Sequence, residues 1–518
     1  MRKSEYKPLL LTTTVRNPER FKTLINVLLA FDGQILTNEV IDKIIFEFVA
    51  RKLYTPLYVT RTPRLKEQLI YDDVRFSDKD TDEIILNSPQ DHKEAGFDKG
   101  WASRFDTFYK FAMELGLVCY EMNKPIEISE TGIKLVKSNE PEFAQLEQQV
   151  FLNAFVKYQR NNPFRRVKNA NKPFVLLLQT ISELKKIYGN DCVGISRFEI
   201  PLILCWKDDN AIKLANHIKD IRDKYKFTPS SEYIYEVCKQ ILTLSEKDEK
   251  RFKMNNIMRE LPDEFIRKMR LTGLISLRGN GRFIDFNTLE YEKINYVIDN
   301  YHKTPEVFKT TRDYYDYMKK MDINLISIEA KIITAEGEKE KLFSKWVDIF
   351  ELNDLKEELK IVCSPRLYSK NDVIKFISES LRLEFITALS LKKAFNSLQV
   401  IPNYIIDDEG LPISFAPGGS ADIICYDDKG NILFEVTLLT GTQQNIREMP
   451  AIARHLRDCV VLYPDSFSVM ICPRIHSDTR EYAEFIKFKD NLDITVLEMQ
   501  GFIDTLGVYN NARNYRKS

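Results

Sequence analysis

Residues 418–455 read GGSADIICYDDKGNILFEVTLLTGTQQNIREMPAIARH, and this stretch decides the fold of the C-terminal part of the chain. Two apolar runs typical of β-strands contain one acid each, Asp422 and Glu435, with Asp428-Lys429-Gly430 as the turn between them. A third acid, Glu448, follows thirteen residues after Glu435. Carboxylates on paired strands suit a hard divalent cation, and such a cation assists phosphodiester hydrolysis.

Both strand acids lie beside apolar residues. Glu435 interrupts ILFEVTLL, a run typical of a strand inside a covered sheet. A carboxylate there is costly unless it is paired or bound to a metal. A salt bridge is the plainer interpretation of one such acid, whereas two on hairpin-linked strands favour a metal site.

Two further residues, His455 and Glu384, carry weaker signals, and spacing alone does not select them for the site. Glu448 and His455 are seven residues apart, so on one continuous helix they would share a face. Proline is best tolerated in the first turn, so Pro450 predicts that this helix begins near Arg447 or Glu448. Taken alone, His455 is more simply a surface or interface histidine. Glu384, within the apolar stripe SLRLEFITALSL, is more simply a surface or capped acid.

The bulk properties favour ordinary globular domains. A chain of 518 residues is too long for one core, and about three or four domains are expected. No apolar run is long enough for a membrane span, and the N-terminal apolar stretch is too short for a secretory signal. The eight cysteines are scattered singly, which fits a reducing cytoplasm. The 76 basic and 76 acidic side chains argue against a histone-like partner but not against a local DNA footprint.

A basic segment at residues 151–172, FLNAFVKYQRNNPFRRVKNANK, contains six basic residues and no acid. Cations of this kind contact phosphates, and Asn and Arg side chains contact base edges. A solvated helix face and loop is the alternative interpretation. The candidate DNA contacts are Lys157, Arg160, Asn161, Asn162, Arg165, Arg166 and Lys168.

Two helix–hairpin units flank this segment. Residues 101–136 predict a helix ended by Gly116 and then a hairpin, which is the outline of a winged helix. Residues 251–286 repeat the outline, with Gly279-Asn280-Gly281 at the turn. Residues 17–53 are predicted to be helical, and residues 291–341 are predicted to form a charged helical connector.

The C-terminal region predicts an α/β domain with a central mixed sheet. Its expected elements are a helix over 371–395, the two acid-bearing strands, a helix over 443–459, strands at VVLYP, SFSVMICPRI and LDITVLEM, and a short helix over 481–489. The predicted fold is therefore multidomain α+β, with a helical, winged-helix-like N-terminal half. The predicted domains are 1–150 and 151–290 for DNA recognition, 291–345 for the linker and 346–518 for cleavage.

The acid-bearing stretch resembles the PD-(D/E)xK nuclease core, and the chain more narrowly resembles the AlwI-type family of type IIS restriction endonucleases. That family includes PleI, MlyI and strand-nicking relatives. The likeness begins with PLLLTTTVRNPERF at residues 8–21 and is sharpest at GGSADIICYDDKGNILFEVTLLTGTQQ and REMPAIARHL. The resemblance implies a bacterial, cytoplasmic enzyme that binds a short asymmetric duplex site and cuts a few base pairs outside it.

The resemblance also assigns roles to residues. It places Mg²⁺ with Asp422, Glu435 and Glu448, and it adds His455 and the upstream helix acid Glu384 to the catalytic set. The superfamily's usual lysine, two residues after the strand Glu, is replaced by Thr437, so the general base is left open. Arg16 lies in the family's N-terminal signature and is a further candidate DNA contact, although a structural role fits it equally well.

Three alternatives stay open from the sequence. A winged-helix DNA-binding regulator would use the three acids structurally. An RNA-directed or repair nuclease could share the same core. Within the favoured class, one site per chain cuts one strand, so double-strand cleavage needs a transient second copy or a small subunit, and otherwise the enzyme is a nickase.

Overall fold

A computed structural model describes residues 4–12, 14–15, 17–69, 74–140, 143–245, 248, 250–302, 306–331, 336–364, 367–415 and 419–516. No helix within these ranges is long and apolar enough to cross a membrane.

The N-terminal half is mostly helical. Its helices are α1 (Phe21–Leu28), α2 (Asn38–Ala50), α3 (Leu57–Arg61), α4 (Pro63–Gln68), α5 (Asp78–Leu86), α6 (Trp101–Glu114), α7 (Glu130–Lys137), α8 (Leu146–Lys157), α9 (Pro173–Tyr188), α10 (Ile200–Cys205), α11 (Ala211–Tyr225), α12 (Ser231–Leu242) and α13 (Leu261–Arg270). Its strands are β1 (Val118–Cys119), β2 (Glu127–Ile128), β3 (Ile195–Ser196), β4 (Ile275–Arg278) and β5 (Phe283–Phe286).

Both predicted hairpins are present. Strand β1 pairs antiparallel with β2 after α6, and Gly116 leaves that helix at a φ of 77°, as expected of a helix-ending glycine. Strand β4 pairs antiparallel with β5, and β3 extends this pair to three strands. The helical run before the second hairpin begins at Met254 rather than Arg251, and a π-helical turn at Asn256–Glu260 leads into α13. The winged-helix interpretation of these units stays a prediction.

The connector lies against the N-terminal half. It contains α14 (Tyr291–Tyr301), α15 (Thr311–Met318) and α16 (Ile323–Ile326). The Asp322 N–H donates to Asn153 Oδ1 of α8 at 2.9 Å, and Thr131 Oγ1 of α7 donates to the Lys319 carbonyl at 2.6 Å. The connector is therefore packed along the half that precedes it.

The two halves also contact each other directly. Arg270 of α13 forms a buried ion pair with Asp407, with Nη1 and Oδ2 3.0 Å apart. Ser276 Oγ of β4 donates to Asp408 Oδ1 at 2.6 Å, and the amide of Asn17 donates to Glu379 Oε1 at 2.9 Å. These contacts, as well as the connector, join the N-terminal half to the C-terminal part.

The C-terminal part contains the predicted mixed sheet. Its helices are α17 (Glu336–Ile349), α18 (Leu352–Val362), α19 (Glu379–Ala394), α20 (Met449–Leu462), α21 (Ser477–Asp490) and α22 (Met499–Thr505). Its strands are β6 (Gln399–Pro402), β7 (Ile405–Ile406), β8 (Pro412–Ser414), β9 (Ile423–Asp427), β10 (Gly430–Val436), β11 (Phe467–Cys472) and β12 (Ile494–Glu498). The five-stranded sheet has the order β12-β11-β10-β9-β6, parallel from β10 to β12 and antiparallel at β9 and β6.

Successive side chains of β10 lie on opposite faces of this sheet. Phe434 belongs to the large core that also contains residues of α19 and α22, whereas Leu433 packs with the apolar residues of α20 and α21. Because side chains alternate along a strand, Glu435 lies on the Leu433 face, toward α20.

Two predicted elements are wrong. VVLYP does not form a strand, because α20 continues through Val461 and Leu462, whose β-strand-like apolar run lies exposed on the last helical turn. The helix predicted from Asn371 is interrupted: a short 3₁₀ turn at Ile374–Phe376 is followed by α19, which begins only at Glu379. The Asn371 side chain accepts the N–H groups of Val373 and Ile374, so it holds a local turn.

Candidate active site

The hairpin register brings the two strand acids together. Phe434 of β10 pairs with Ile423 of β9, so one step further places Glu435 opposite Asp422. The Val436 N–H donates to Asp422 Oδ2 at 2.8 Å, and the Asp422 N–H donates to Glu435 Oε2 at 3.2 Å. The two carboxylates are thus fixed by each other's backbone.

An irregular helix start sets the positions of Glu448 and His455. A π-helical turn at Gln444–Glu448 leads into α20, and Pro450 lies in the first turn of α20, as predicted. Glu448 therefore stands at the N-terminus of α20, with His455 two turns later. The His455 Nδ1 atom lies 2.9 Å from Glu435 Oε1, which joins the helix to the strand acid.

Thr437 contacts the helix acid from the position of the missing lysine. Its Oγ1 donates to Glu448 Oε1 at 3.2 Å and accepts the Leu439 N–H at 3.0 Å. A lysine would add a positive charge here, whereas the threonine orients a carboxylate.

Glu384 completes the cluster from α19. Its side chain is buried, and its Oε2 has no hydrogen-bond partner within the described part of the chain. Burial raises the pKa of Glu384 well above its usual value, and the charges of Asp422, Glu435 and Glu448 raise it further. The five residues selected from the sequence therefore share one electrostatic environment.

The carboxylates destabilise one another in this arrangement. Burial raises the pKa of Glu435 to about 8 and that of Glu448 above its usual value, and burial with the neighbouring Glu435 raises the pKa of Asp422 strongly. A divalent cation would relieve this repulsion, and carboxylate oxygens are its preferred ligands.

The donor set therefore fits Mg²⁺ in chemistry. Within the ranges described, no three His, Cys, Asp or Glu side chains are arranged to enclose an ion. Oxygens of Asp422 and Glu435 accept backbone N–H groups, and one oxygen of Glu435 faces His455.

His455 is held as a neutral imidazole. Burial is the main cause that lowers its pKa. With Nδ1 facing a carboxylate, the proton of the neutral ring belongs on Nδ1. That leaves Nε2 as an acceptor, and this atom is buried without a hydrogen-bond partner among the residues described. An oriented imidazole with a free lone pair is the arrangement of a general base.

Most of the basic segment does not form a DNA-facing surface. Lys157, Arg160 and Asn162 are buried, and their side-chain nitrogens donate to backbone carbonyls. Arg160 donates to the carbonyls of Leu204, Trp206 and Lys7, and so ties the N-terminal segment to α10. Because their donors are used inside the fold, we propose structural roles for these three residues in place of the predicted DNA contacts.

The remaining candidates of that segment differ in exposure. Arg165 is ion-paired with the buried Glu114 at 2.8 Å and also donates to main-chain carbonyls, so we assign it a structural role as well. Asn161 is half-buried, with its Oδ1 enclosed. Arg166 and Lys168 are exposed and stay candidate DNA contacts. Arg16 lies outside the described residues.

A comparison with family models decides the relationship of the chain. The model of the AlwI restriction endonuclease matches residues 113–336 and 366–500, which include Glu384 and the whole acid-bearing stretch. The chain belongs to the AlwI restriction endonuclease family. A search of curated proteins finds no match.

Solved structures similar to this AlwI family member are also restriction endonucleases. The small subunit of the heterodimeric restriction endonuclease R.BspD6I is 21% identical, over 31% of this chain and 80% of its own, with a TM-score of 0.26. Restriction endonuclease FokI is 12% identical, over 99% of this chain and 98% of its own, with a TM-score of 0.24. FokI bound to DNA is 11% identical, over 99% and 97%, also with a TM-score of 0.24.

Proposed function

We propose that this protein is a type IIS restriction endonuclease. In this proposal the N-terminal half binds a short asymmetric duplex sequence, and the C-terminal part hydrolyses a phosphodiester bond a few base pairs outside it. The observation that carries the proposal is the convergence of Glu384, Asp422, Glu435, Glu448 and His455 in one buried cluster. Family membership supports the same conclusion.

The chemistry is metal-assisted hydrolysis. Asp422 and Glu435, with Glu448 beside them, would hold Mg²⁺, which would supply Lewis-acid activation of the phosphate and of water. Thr437 keeps the Glu448 carboxylate in place. Glu435 orients His455 through Nδ1, and Nε2 of His455 accepts the proton of the attacking water. Hydrolysis leaves a 5′-phosphate and a 3′-hydroxyl.

Incubation of purified protein with plasmids of varied sequence tests this function. We expect nicking or cleavage with Mg²⁺ and none with EDTA, and no metal-dependent cutting of any DNA would contradict the proposal and favour a binding-only regulator. Run-off sequencing of the ends then separates the remaining classes. Cuts at one fixed offset from one sequence support type IIS cleavage, whereas scattered or structure-directed cuts indicate a repair or RNA-directed enzyme.

Cleavage of the second strand would require a partner, and a surface on the cleavage part suits a second copy. Four large apolar side chains on α20 and α21 are exposed by more than half: Val461, Leu462, Phe485 and Phe488. We propose that these four side chains form one association surface, since contiguous exposed apolar patches mark such surfaces. Since α20 also carries His455, a second copy docked here would bring a second site close to the first.

A further inference from the structure

Three buried polar atoms on or near α19 have no hydrogen-bond partner within the described residues: Glu384 Oε2, Thr387 Oγ1 and Tyr404 Oη. The residues are 4%, 0% and 1% exposed, so bulk water does not satisfy these atoms. Buried polar groups are nearly always paired in native proteins, and exceptions concentrate at functional sites. One of the three belongs to the proposed catalytic cluster.

Thr387 behaves differently from other hydroxyl residues inside helices of this protein. Thr180 Oγ1 donates to the Leu176 carbonyl at 2.6 Å, and Ser390 Oγ donates to the Ile386 carbonyl at 2.8 Å. This bond to the preceding turn is the ordinary way to satisfy such a hydroxyl. Thr387 makes no such bond, although it lies one turn after Glu384 and on the same side of α19.

Tyr404 approaches α19 from the chain segment that follows β6. Its ring packs against Phe385, the neighbour of Glu384, with centroids 6.1 Å apart at 70°. Burial raises the pKa of the Tyr404 phenol well above its usual value, and the Glu384 carboxyl raises it further. The contact with Phe385 places the Tyr404 ring beside the turn of α19 that carries Glu384.

Asn403, the residue before Tyr404, forms two hydrogen bonds with the backbone at Asp422. The Asn403 N–H donates to the Asp422 carbonyl at 2.9 Å, and its side-chain amide donates to the Ala421 carbonyl at 2.6 Å. Two consecutive residues thus support Asp422 on its strand and approach Glu384 on its helix. No other contact of Tyr404 Oη competes with that approach in the described structure.

We propose that Tyr404 is a positioning residue that donates a hydrogen bond from Oη to Glu384 Oε2 when the site is loaded with a cation. Together with Asn403, it sets the separation of Glu384 from Asp422. Thr387 provides a second hydroxyl on the same side of the helix. This inference rests on the proposed function.

The Tyr404→Phe variant tests the inference because it keeps the ring and its packing and removes only Oη. We expect the single-turnover cleavage rate to fall about tenfold, the value of one hydrogen bond to a charged group. The Mg²⁺ concentration for half-maximal rate should rise, and Mn²⁺ affinity, measured by electron paramagnetic resonance, should fall. DNA affinity should stay within about twofold of the wild type, and Tm should not decrease, because an unpaired buried hydroxyl is lost.

Tyr515→Phe is the matched control. Tyr515 is buried in the same part of the chain, and its Oη shares a hydrogen bond with Thr505 Oγ1 at 3.0 Å. Its removal should lower Tm and leave the Mg²⁺ dependence unchanged.

Two results would overturn the inference: a wild-type rate and Mg²⁺ dependence in Tyr404→Phe, or a loss of Tm like that of the control. If the wild-type protein cuts no DNA, the proposed function fails separately. Equal Mn²⁺ affinities of the wild type and Tyr404→Phe would then reject the inference on its own.

Discussion

The imidazole Nδ1 of His455 lies 2.9 Å from the Glu435 Oε1 atom, and this contact connects helix α20 to strand β10 inside the cluster of acids. The contact gives the histidine one orientation and leaves Nε2 as its acceptor. Under the proposed function, this oriented neutral base takes the place of the lysine that the resemblance to the nuclease core would supply.

Asp422→Asn should abolish cleavage, by at least about a hundredfold, without unfolding the protein. The amide oxygen can still accept the Val436 N–H, but the charge that holds a cation is gone. The measurement is plasmid nicking in Mg²⁺ with Tm as a check. Asp427→Asn is the control on the same strand: it loses an ion pair with Arg513, so it should lower Tm and keep the cleavage rate. Undiminished cleavage by Asp422→Asn would show that the metal site is elsewhere.

Thr437→Val should slow cleavage about tenfold, because Glu448 loses the hydroxyl that orients it. Thr437→Ser keeps the hydroxyl and should cleave at nearly the wild-type rate. Single-turnover kinetics on a defined duplex measures both variants. If the valine and serine variants are equally active, Thr437 does not orient a reacting group.

Arg160 and Arg166 should respond in opposite ways to alanine. Arg160→Ala leaves buried carbonyls without their donors. It should cost about 2–3 kcal/mol of unfolding free energy, measured with denaturant. Arg166→Ala, at an exposed position, should leave the unfolding free energy unchanged and weaken DNA binding. The slope of log DNA affinity against log salt concentration should fall by the amount that one phosphate contact contributes, about one. Wild-type DNA affinity and salt dependence in Arg166→Ala would remove this residue from the footprint.

Glu19 should make stability depend on pH. Its Oε2 is buried without a partner in the described structure, and burial, with the charges of Glu379 and Glu147, raises its pKa from 4.5 to about 7. Folded Glu19 keeps its proton between these values while the unfolded chain releases it, so stability falls as pH rises from 4.5 to 7. Above pH 7 the ionised Glu19 lowers the free energy of unfolding by about 3 kcal/mol.

Glu19→Gln should therefore raise Tm at pH 8 and change it little at pH 5. Glu39→Gln, at an exposed acid on α2, is the control for removal of a surface carboxylate. Equal Tm shifts of Glu19→Gln at pH 5 and pH 8 would contradict the raised pKa of Glu19.

Phe488→Glu should reduce cutting of the second strand and leave the first-strand rate unchanged, because Phe488 is 91% exposed on the proposed docking surface. The measurement is the ratio of linear to nicked plasmid at rising protein concentration. Leu86→Glu is the control, since Leu86 is 81% exposed but lies in the N-terminal half. A wild-type protein that yields only nicked plasmid at every concentration would exclude the second copy.

Several features could be read from the residues because they depend on neighbours in sequence. The hairpin of β9 and β10 follows from two apolar runs around a tight turn, and its register of period two places Asp422 beside Glu435. The position of Pro450 fixed where α20 begins. Glu384 and His455 entered through the family resemblance, because a lone acid or histidine in an apolar stripe has no local signature.

The amino-acid sequence by itself determined the mixed α/β cleavage part, the family and the pair of strand acids, because strand alternation and turns are short-range properties. Only the tertiary structure decided which basic side chains are exposed and which acids lie close together. Arg160 carries the charge of a DNA contact, yet its donors end on carbonyls more than 40 residues away. Tyr404 packs against Phe385 because β6 returns beside α19. Such contacts depend on how distant elements pack, and burial rather than residue type then sets what each side chain can do.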